Sequence, residues 1–230
     1  MPRDGAKRVA VMQPYFYPYA GYFRLCAAVD EFVIFDCVQF PRRGRVHRTE
    51  VPAPAGGTEW LTLPLAHHER EVLIRDLDFA ADARERFDQR LARHRWIERS
   101  DGEAAERVRS HLHGPLGSVA DFLERGLRMV TELLDLDVVF SRSSTLGLDP
   151  SLRGQSRVLA TARAAGATQY LNSPGGRDLY EEDEFARAGI ELSFLPPYHG
   201  KFPQLLPALL SEPTGRVRED VLATLTAEPS

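Results

Sequence analysis

Residues 8–35 set two apolar runs on either side of a helical stretch, and this arrangement restricts the fold more than any other feature of the chain. Arg8 to Met12 reads as a strand that ends at Gln13-Pro14, because proline lacks the N–H a strand partner needs. Gly21 to Val29 has helical spacing, with Phe23, Leu25, Ala27 and Ala28 on a broad apolar side, and Phe32 to Phe35 reads as a second strand. Two such strands in one sheet require a right-handed crossover and parallel pairing.

The final third repeats the pattern. Val138 to Ser141, Thr168 to Leu171 and Leu192 to Leu195 read as strands, with helices over Gln155 to Ala165 and Tyr180 to Ala188. Gly166 and Gly189 stand where a helix C-cap needs the left-handed conformation. Between the two halves, Pro52 to Gly57 is a turn, Trp60 to Leu65 and Leu73 to Leu77 are strands, and Asp82 to Arg99 and Val119 to Leu134 are helices, the latter capped by Ser118. The expected fold is therefore α/β, a mainly parallel, Rossmann-like sheet with flanking helices, compatible with a HIGH-superfamily-like topology. Hydrophobic residues at 43% and charged residues at 27% suit one globular domain, taken as residues 1–212, with 213–230 as a peripheral C-terminal helix or tail.

Charge and cysteine usage narrow the function classes. A net charge of −4 argues against a nucleic-acid binder, which would show a strongly basic domain. No apolar run approaches the ~20 residues that cross a bilayer, and MPRDGAKR leads into a strand, so the expectation is a cytoplasmic protein without a membrane partner. Cys26 and Cys37 suit neither a disulfide framework nor a zinc site, and the histidines lack ligand spacing, so no metal and no cofactor are expected.

Loops that follow parallel strands are where ligands usually bind. Gln13, Tyr15, Tyr19 and Tyr22 in the first such loop are accordingly substrate-binding candidates, in a segment more aromatic than one core face requires. Arg42, Arg43, Arg45, His47 and Arg48 make the one strong cationic cluster of an acidic chain and imply an anionic ligand, with Arg43 and Arg48 the candidates for its phosphates. Asp36 and Gln39 end and follow the second strand, and His47 is the natural base of a catalytic set formed with them. Asn172 and Ser173 open a glycine-bearing turn that could approach an oxyanion. Cys37 could serve as a nucleophile, but the carboxylate of Asp36 beside it disfavours a second negative charge, so no covalent intermediate is expected. Gln13, Tyr15, Asp36, Gln39 and Arg43 are expected to converge in one pocket.

These segments resemble the WbqC-like family through MQPYFYPYAGYF, VDEFVIFDCVQF, RRGRVHR, WLTLPL, SSTLGL, GATQYLNSPGG and FARAGIELSF, which follow the family's order across most of residues 9–204. Gln13, Pro14, Tyr15, Pro18, Gly21 and Tyr22 match its first motif, and Asp36, Gln39, Arg43, Gly44 and Arg48 its second. Cys37 stands where the family often has an acidic residue, His47 where it often has asparagine, and LLPALLSEP replaces the usual end. Family members occur in O-antigen and related biosynthetic gene clusters. The resemblance thus implies assembly of a sugar or specialised metabolite by transfer of an acyl or aminoacyl group to an amine or hydroxyl. The donor would be an anionic small molecule or carrier-linked substrate, and a carrier protein or pathway enzyme would be the partner. A noncatalytic binding or scaffold protein of a biosynthetic complex is the second reading. A third, nucleotidyl transfer, rests on Tyr19-Ala20-Gly21-Tyr22 lying where a HIGH-type enzyme has its histidine turn.

Overall fold

The computed structural model describes residues 5–223 and 225, so the last part of the expected tail lies outside the described residues. Strand β1 (Arg8–Met12), helix α1 (Ala20–Ala28) and strand β2 (Glu31–Ile34) form the unit expected at the N-terminus. The chain then leaves the sheet for a hairpin, β3 (Arg48–Pro52) and β4 (Thr58–Thr62). Four helices follow: α2 (Ala83–Leu91), α3 (Arg95–Arg99), α4 (Glu103–His113) and α5 (Val119–Leu133). Strand β5 (Val139–Arg142) re-enters the sheet, and α6 (Gly154–Ala164), β6 (Gln169–Asn172), α7 (Glu182–Arg187) and β7 (Glu191–Phe194) complete the alternation. Helices α8 (Leu205–Ser211) and α9 (Thr214–Ala223) close the described chain.

The five sheet strands run in the order β5-β2-β1-β6-β7, every neighbouring pair parallel. This is a Rossmann-like α/β fold whose strand order reverses at β1. Both faces are covered, and the period of two along each strand divides the core. Val9, Val11 and Val33 face Val158, Ala162 and Phe185 of α6 and α7, while Ala10, Phe32, Ile34 and Phe140 face the layer that includes α1 and α5. Helix α9 packs on α1 and contributes the buried Val217 and Val221 to that second layer.

Three elements differ from the sequence expectation. Leu73 to Leu77 is a 3-10 turn over Ile74–Asp76 rather than a strand, which places the buried Ile74 and Leu77, three residues apart, on one side. Asp82 to Arg99 breaks into α2 and α3 around His94. The break lets Leu91, His94 and Ile97, all buried, face inward at a spacing that a continuous helix would rotate away from the core. Helix α4, absent from the expected elements, is amphipathic through Ala105, Val108 and Leu112. Among the described residues no helix is long and apolar enough to cross a membrane.

The loop from β1 to α1 is anchored from within. Phe16 and Tyr17 are buried, and Tyr17 holds φ at 43°, a left-handed conformation costly for a bulky residue. Its carbonyl accepts the Thr49 hydroxyl at 2.8 Å, and its own hydroxyl lies 2.9 Å from His111 Nδ1. Because Nε2 of His111 must donate to the Phe122 carbonyl at 3.0 Å, Nδ1 accepts from Tyr17, and the neutral imidazole is satisfied on both sides.

Burial pushes the His111 pKa down from 6.5 to about 4. The folded state thus resists a proton that the unfolded chain takes up, and stability falls as pH drops from about 6.5 toward 4. His111→Phe, which removes the Tyr17 hydrogen bond but cannot charge, should lower stability at pH 7.5 and flatten the loss at acid pH. Urea unfolding over a pH series measures both effects.

Candidate functional site

The carboxyl ends of β2 and β5 are joined by one carboxylate. Asp36 is fully buried, and its Oδ1 accepts the Ser143 hydroxyl at 3.0 Å and the Ser144 amide at 2.9 Å, while Oδ2 accepts the Ser144 hydroxyl at 2.6 Å. These bonds shape the 3-10 turn Ser143–Thr145 that follows β5. Since the Ser143 hydroxyl donates to Asp36, its lone pairs are free to accept the Cys37 thiol, whose sulfur lies 2.8 Å away. Arg157, buried on α6, donates through Nη2 to that sulfur at 2.8 Å and through Nη1 to the Asp149 carbonyl at 2.8 Å. Its Nε is buried without a hydrogen-bond partner.

Above this network opens a cleft of about 660 Å³, lined by Cys37, Gln39, Glu71, Arg75, Arg153 and Arg157 among other residues. Gly154, at φ 51°, starts α6 at its wall, and no side chain caps that helix. The amides of a first helical turn have no partners within the helix, so they favour a negative group nearby. Three guanidiniums with one carboxylate, Glu71, give the lining an excess of positive charge. An arrangement of this kind can hold a phosphate or carboxylate and leave the apolar wall of Val38, Leu73 and Leu148 for the rest of a small molecule.

The expected single pocket is divided into three groups. Gln39 lines the cleft above Asp36 and donates from Nε2 to the Arg70 carbonyl at 2.9 Å. Around the first loop, Tyr15 and Tyr19 lie close enough for each to feel the other or Arg45, and burial raises both phenol pKa values. The Tyr22 hydroxyl donates to the Gln13 carbonyl at 2.8 Å, and its ring lies in the core 5.5 Å from that of Tyr15. Tyr22 is therefore packing against the loop rather than lining an open surface. Asn172 ends β6 beside this loop and Ser173 follows it, the Asn172 side chain accepting the Ser173 amide at 2.8 Å. Strands β1 and β6 pair only through Arg8 with Gln169 and Val9 with Tyr170, so they diverge toward these two loops at the point where the strand order reverses.

The third group holds His47, which lines a separate concavity with Arg42, His68 and Arg90 and does not meet Asp36. Burial first, then the charges of Arg48, His68 and Arg90, push its pKa down to about 4. Arg48 is spent locally: it donates to the carbonyls of Gly44 and Arg43 and lies over the Trp60 ring, 4.3 Å from its centroid. Arg43 is exposed and is absent from the lining of both concavities. Sequence reading missed Ser143, Ser144, Arg75, Arg153 and Arg157. The rule that directs attention to loops after parallel strands, applied to β5 as it was to β1, would have found the two serines and the start of α6.

The sheet order and covered faces define a Rossmann-like α/β protein. Residues 13–209 match the WbqC-like protein family, and the chain belongs to that family. It is similar to the uncharacterized protein Rv1507c of Mycobacterium tuberculosis (strain ATCC 25618 / H37Rv), at 27% identity over 210 residues that cover 82% of this chain and 81% of the relative. No solved structure gives a significant match.

If Asp36 is a strut, its removal should be felt in stability before chemistry. Asp36→Ala leaves two buried or half-buried hydroxyls and an amide without their acceptor, and should cost roughly 3 kcal/mol or more in chemical denaturation. Stability equal to that of the wild type would refute the strut.

Proposed function

We propose that the chain is a group-transfer enzyme of small-molecule biosynthesis, moving an acyl or aminoacyl group from an anionic, carrier-linked donor to an amine or hydroxyl of a sugar or specialised metabolite. The observation that carries this reading is the arginine-lined cleft at the carboxyl edge of the sheet, open to the uncapped first turn of α6. Arg75 and Arg153 at its wall meet the donor's phosphate or carboxylate. Arg157 and Cys37, fixed through Ser143 to Asp36, form a rigid polar floor that orients the reacting group. An attacking amine or hydroxyl must lose a proton as the bond between the acyl group and the carrier's sulfur breaks, and Glu71 is the carboxylate among the lining residues available to take that proton and return it to the leaving thiolate. The geometry thereby supports Glu71 in the role that the sequence suggested for His47, which lies in another concavity.

A second reading, a noncatalytic binding protein of a biosynthetic complex, draws support from the separation of His47 from Asp36 and Gln39 and from the structural use of the Asp36 carboxylate. Purified protein separates the two. For the enzyme, a phosphopantetheine thioester as acyl donor, or a nucleotide-sugar as acceptor, raises the melting temperature. Arg75→Ala and Arg153→Ala each weaken that binding roughly tenfold or more. Glu71→Gln lowers kcat by about 10²-fold with KM little changed. Binding of the thioester with no turnover in any acceptor mixture would favour the binding protein, and absence of binding to the thioester would reject the cleft as the donor site.

A further inference from the structure

We propose that the concavity between the segment following β4 and helix α2 is a second anion site, one that takes inorganic phosphate or the phosphate of a monoester. It has a volume of about 410 Å³ and shares no lining residue with the cleft beside Cys37. Arg42 and His47 reach it from the loop before β3, His67 and His68 from the segment after β4, and Arg86 and Arg90, one turn apart, from α2. No aspartate or glutamate is among its lining residues.

In a chain of net charge −4, three guanidiniums gathered around one hollow call for a counter-charge, and three imidazoles add ring nitrogens that can donate to it. The fold supplies little. Among the described residues, Arg42 and Arg90 form no ion pair, and Arg86 meets only the exposed Asp82 at 3.3 Å. Arg90 reaches the Thr62 carbonyl, and Arg42 the His68 carbonyl at 3.5 Å, each of which uses one donor of a five-donor group. Among the described residues His47 Nδ1 is buried without a hydrogen-bond partner, so a residue that lines the hollow carries an unmet polar atom.

The like charges also press on one another. The pKa of Arg90 is lowered by burial and then by Arg86, and that of His47 by burial and then by Arg48, His68 and Arg90. An anion seated between Arg42, Arg86 and Arg90 relieves that repulsion. Phosphate fits better than a halide because its several oxygens can accept from the forked donors of Arg42, Arg86 and Arg90 together with one imidazole N–H. The aromatic wall is in place as well: the ring of Phe40 stands edge-on to His47 and His68, at 5.0 and 5.2 Å between centroids, and holds both imidazoles at the hollow.

The chain has seven histidines, and none lines the cleft beside Cys37, so imidazole signals report on this hollow separately from the donor site. Protein labelled with 15N at histidine is titrated with inorganic phosphate, with chloride at matched ionic strength as the control. The expected result is a saturable shift of the His47, His67 and His68 signals, weakened at least tenfold in Arg42→Gln, Arg86→Gln and the double variant and retained in Arg153→Ala. Both substituted arginines are exposed, and an unchanged spectrum for the remaining histidines verifies the fold of each variant. The proposal is overturned if wild-type protein shows no saturable shift, if chloride shifts the same signals equally, or if the shift survives in the double variant. Loss of donor binding in Arg153→Ala without change at these histidines would bear on the cleft alone.

Discussion

The carboxylate of Asp36 is the joint on which the carboxyl edge of the sheet depends. Strands β2 and β5 are neighbours in space, but residues 35–138 separate them in the chain, and closing so long a crossover carries an entropic cost that local contacts at the strand ends must help offset. Asp36 accepts two hydroxyls and an amide from the turn after β5, and a buried carboxylate satisfied in this way fixes two backbones relative to each other. Cys37 follows in sequence and Ser143 is shared, so the thiol and the guanidinium of Arg157 on α6 inherit their positions from the same joint. Three elements remote in sequence thereby meet at the floor of one cleft.

The basic segment before β3 illustrates how a charge cluster in sequence comes apart in space. Arg48 and Arg45 both lie over the Trp60 ring, Arg45 also pairs with Glu50 at 3.1 Å, and Arg43 is exposed. Arg42 and His47 enter a concavity whose other cations come from α2 and from the segment after β4. The positive charge that faces ligands is therefore assembled from several elements, whereas much of the local charge stabilises the hairpin. Guanidinium stacking on an indole and hydrogen bonds to carbonyls, together with the Arg45–Glu50 pair, explain how so many arginines are accommodated there.

Legibility followed the physical origin of each element. The strand-helix-strand unit over residues 8–35 was readable because its apolar positions repeat with the correct period and both sheet faces are buried. Ser118 was readable as a cap because the requirement is local: its hydroxyl accepts the Asp121 amide at 3.1 Å. The 3-10 turn at Ile74 and the break before α3 were not, since both follow from which side chains the surrounding core accepts. Gln39 was found as a cleft residue because it follows a parallel strand, while Arg157 was missed because its role arises only when α6 docks beside Cys37.

The sequence by itself determined the α/β class, the alternation at both ends of the chain, the capping positions and the existence of an aromatic loop and a cationic excess. Each of these depends on residue type and spacing along a few turns of chain. The tertiary structure decided the strand order, the partners of Asp36, the separation of His47 from the cleft and the company kept by every arginine. Those are contacts between residues far apart in the chain, 120 positions in the case of Arg157 with Cys37, and no local periodicity encodes which distant side chain will meet a given group.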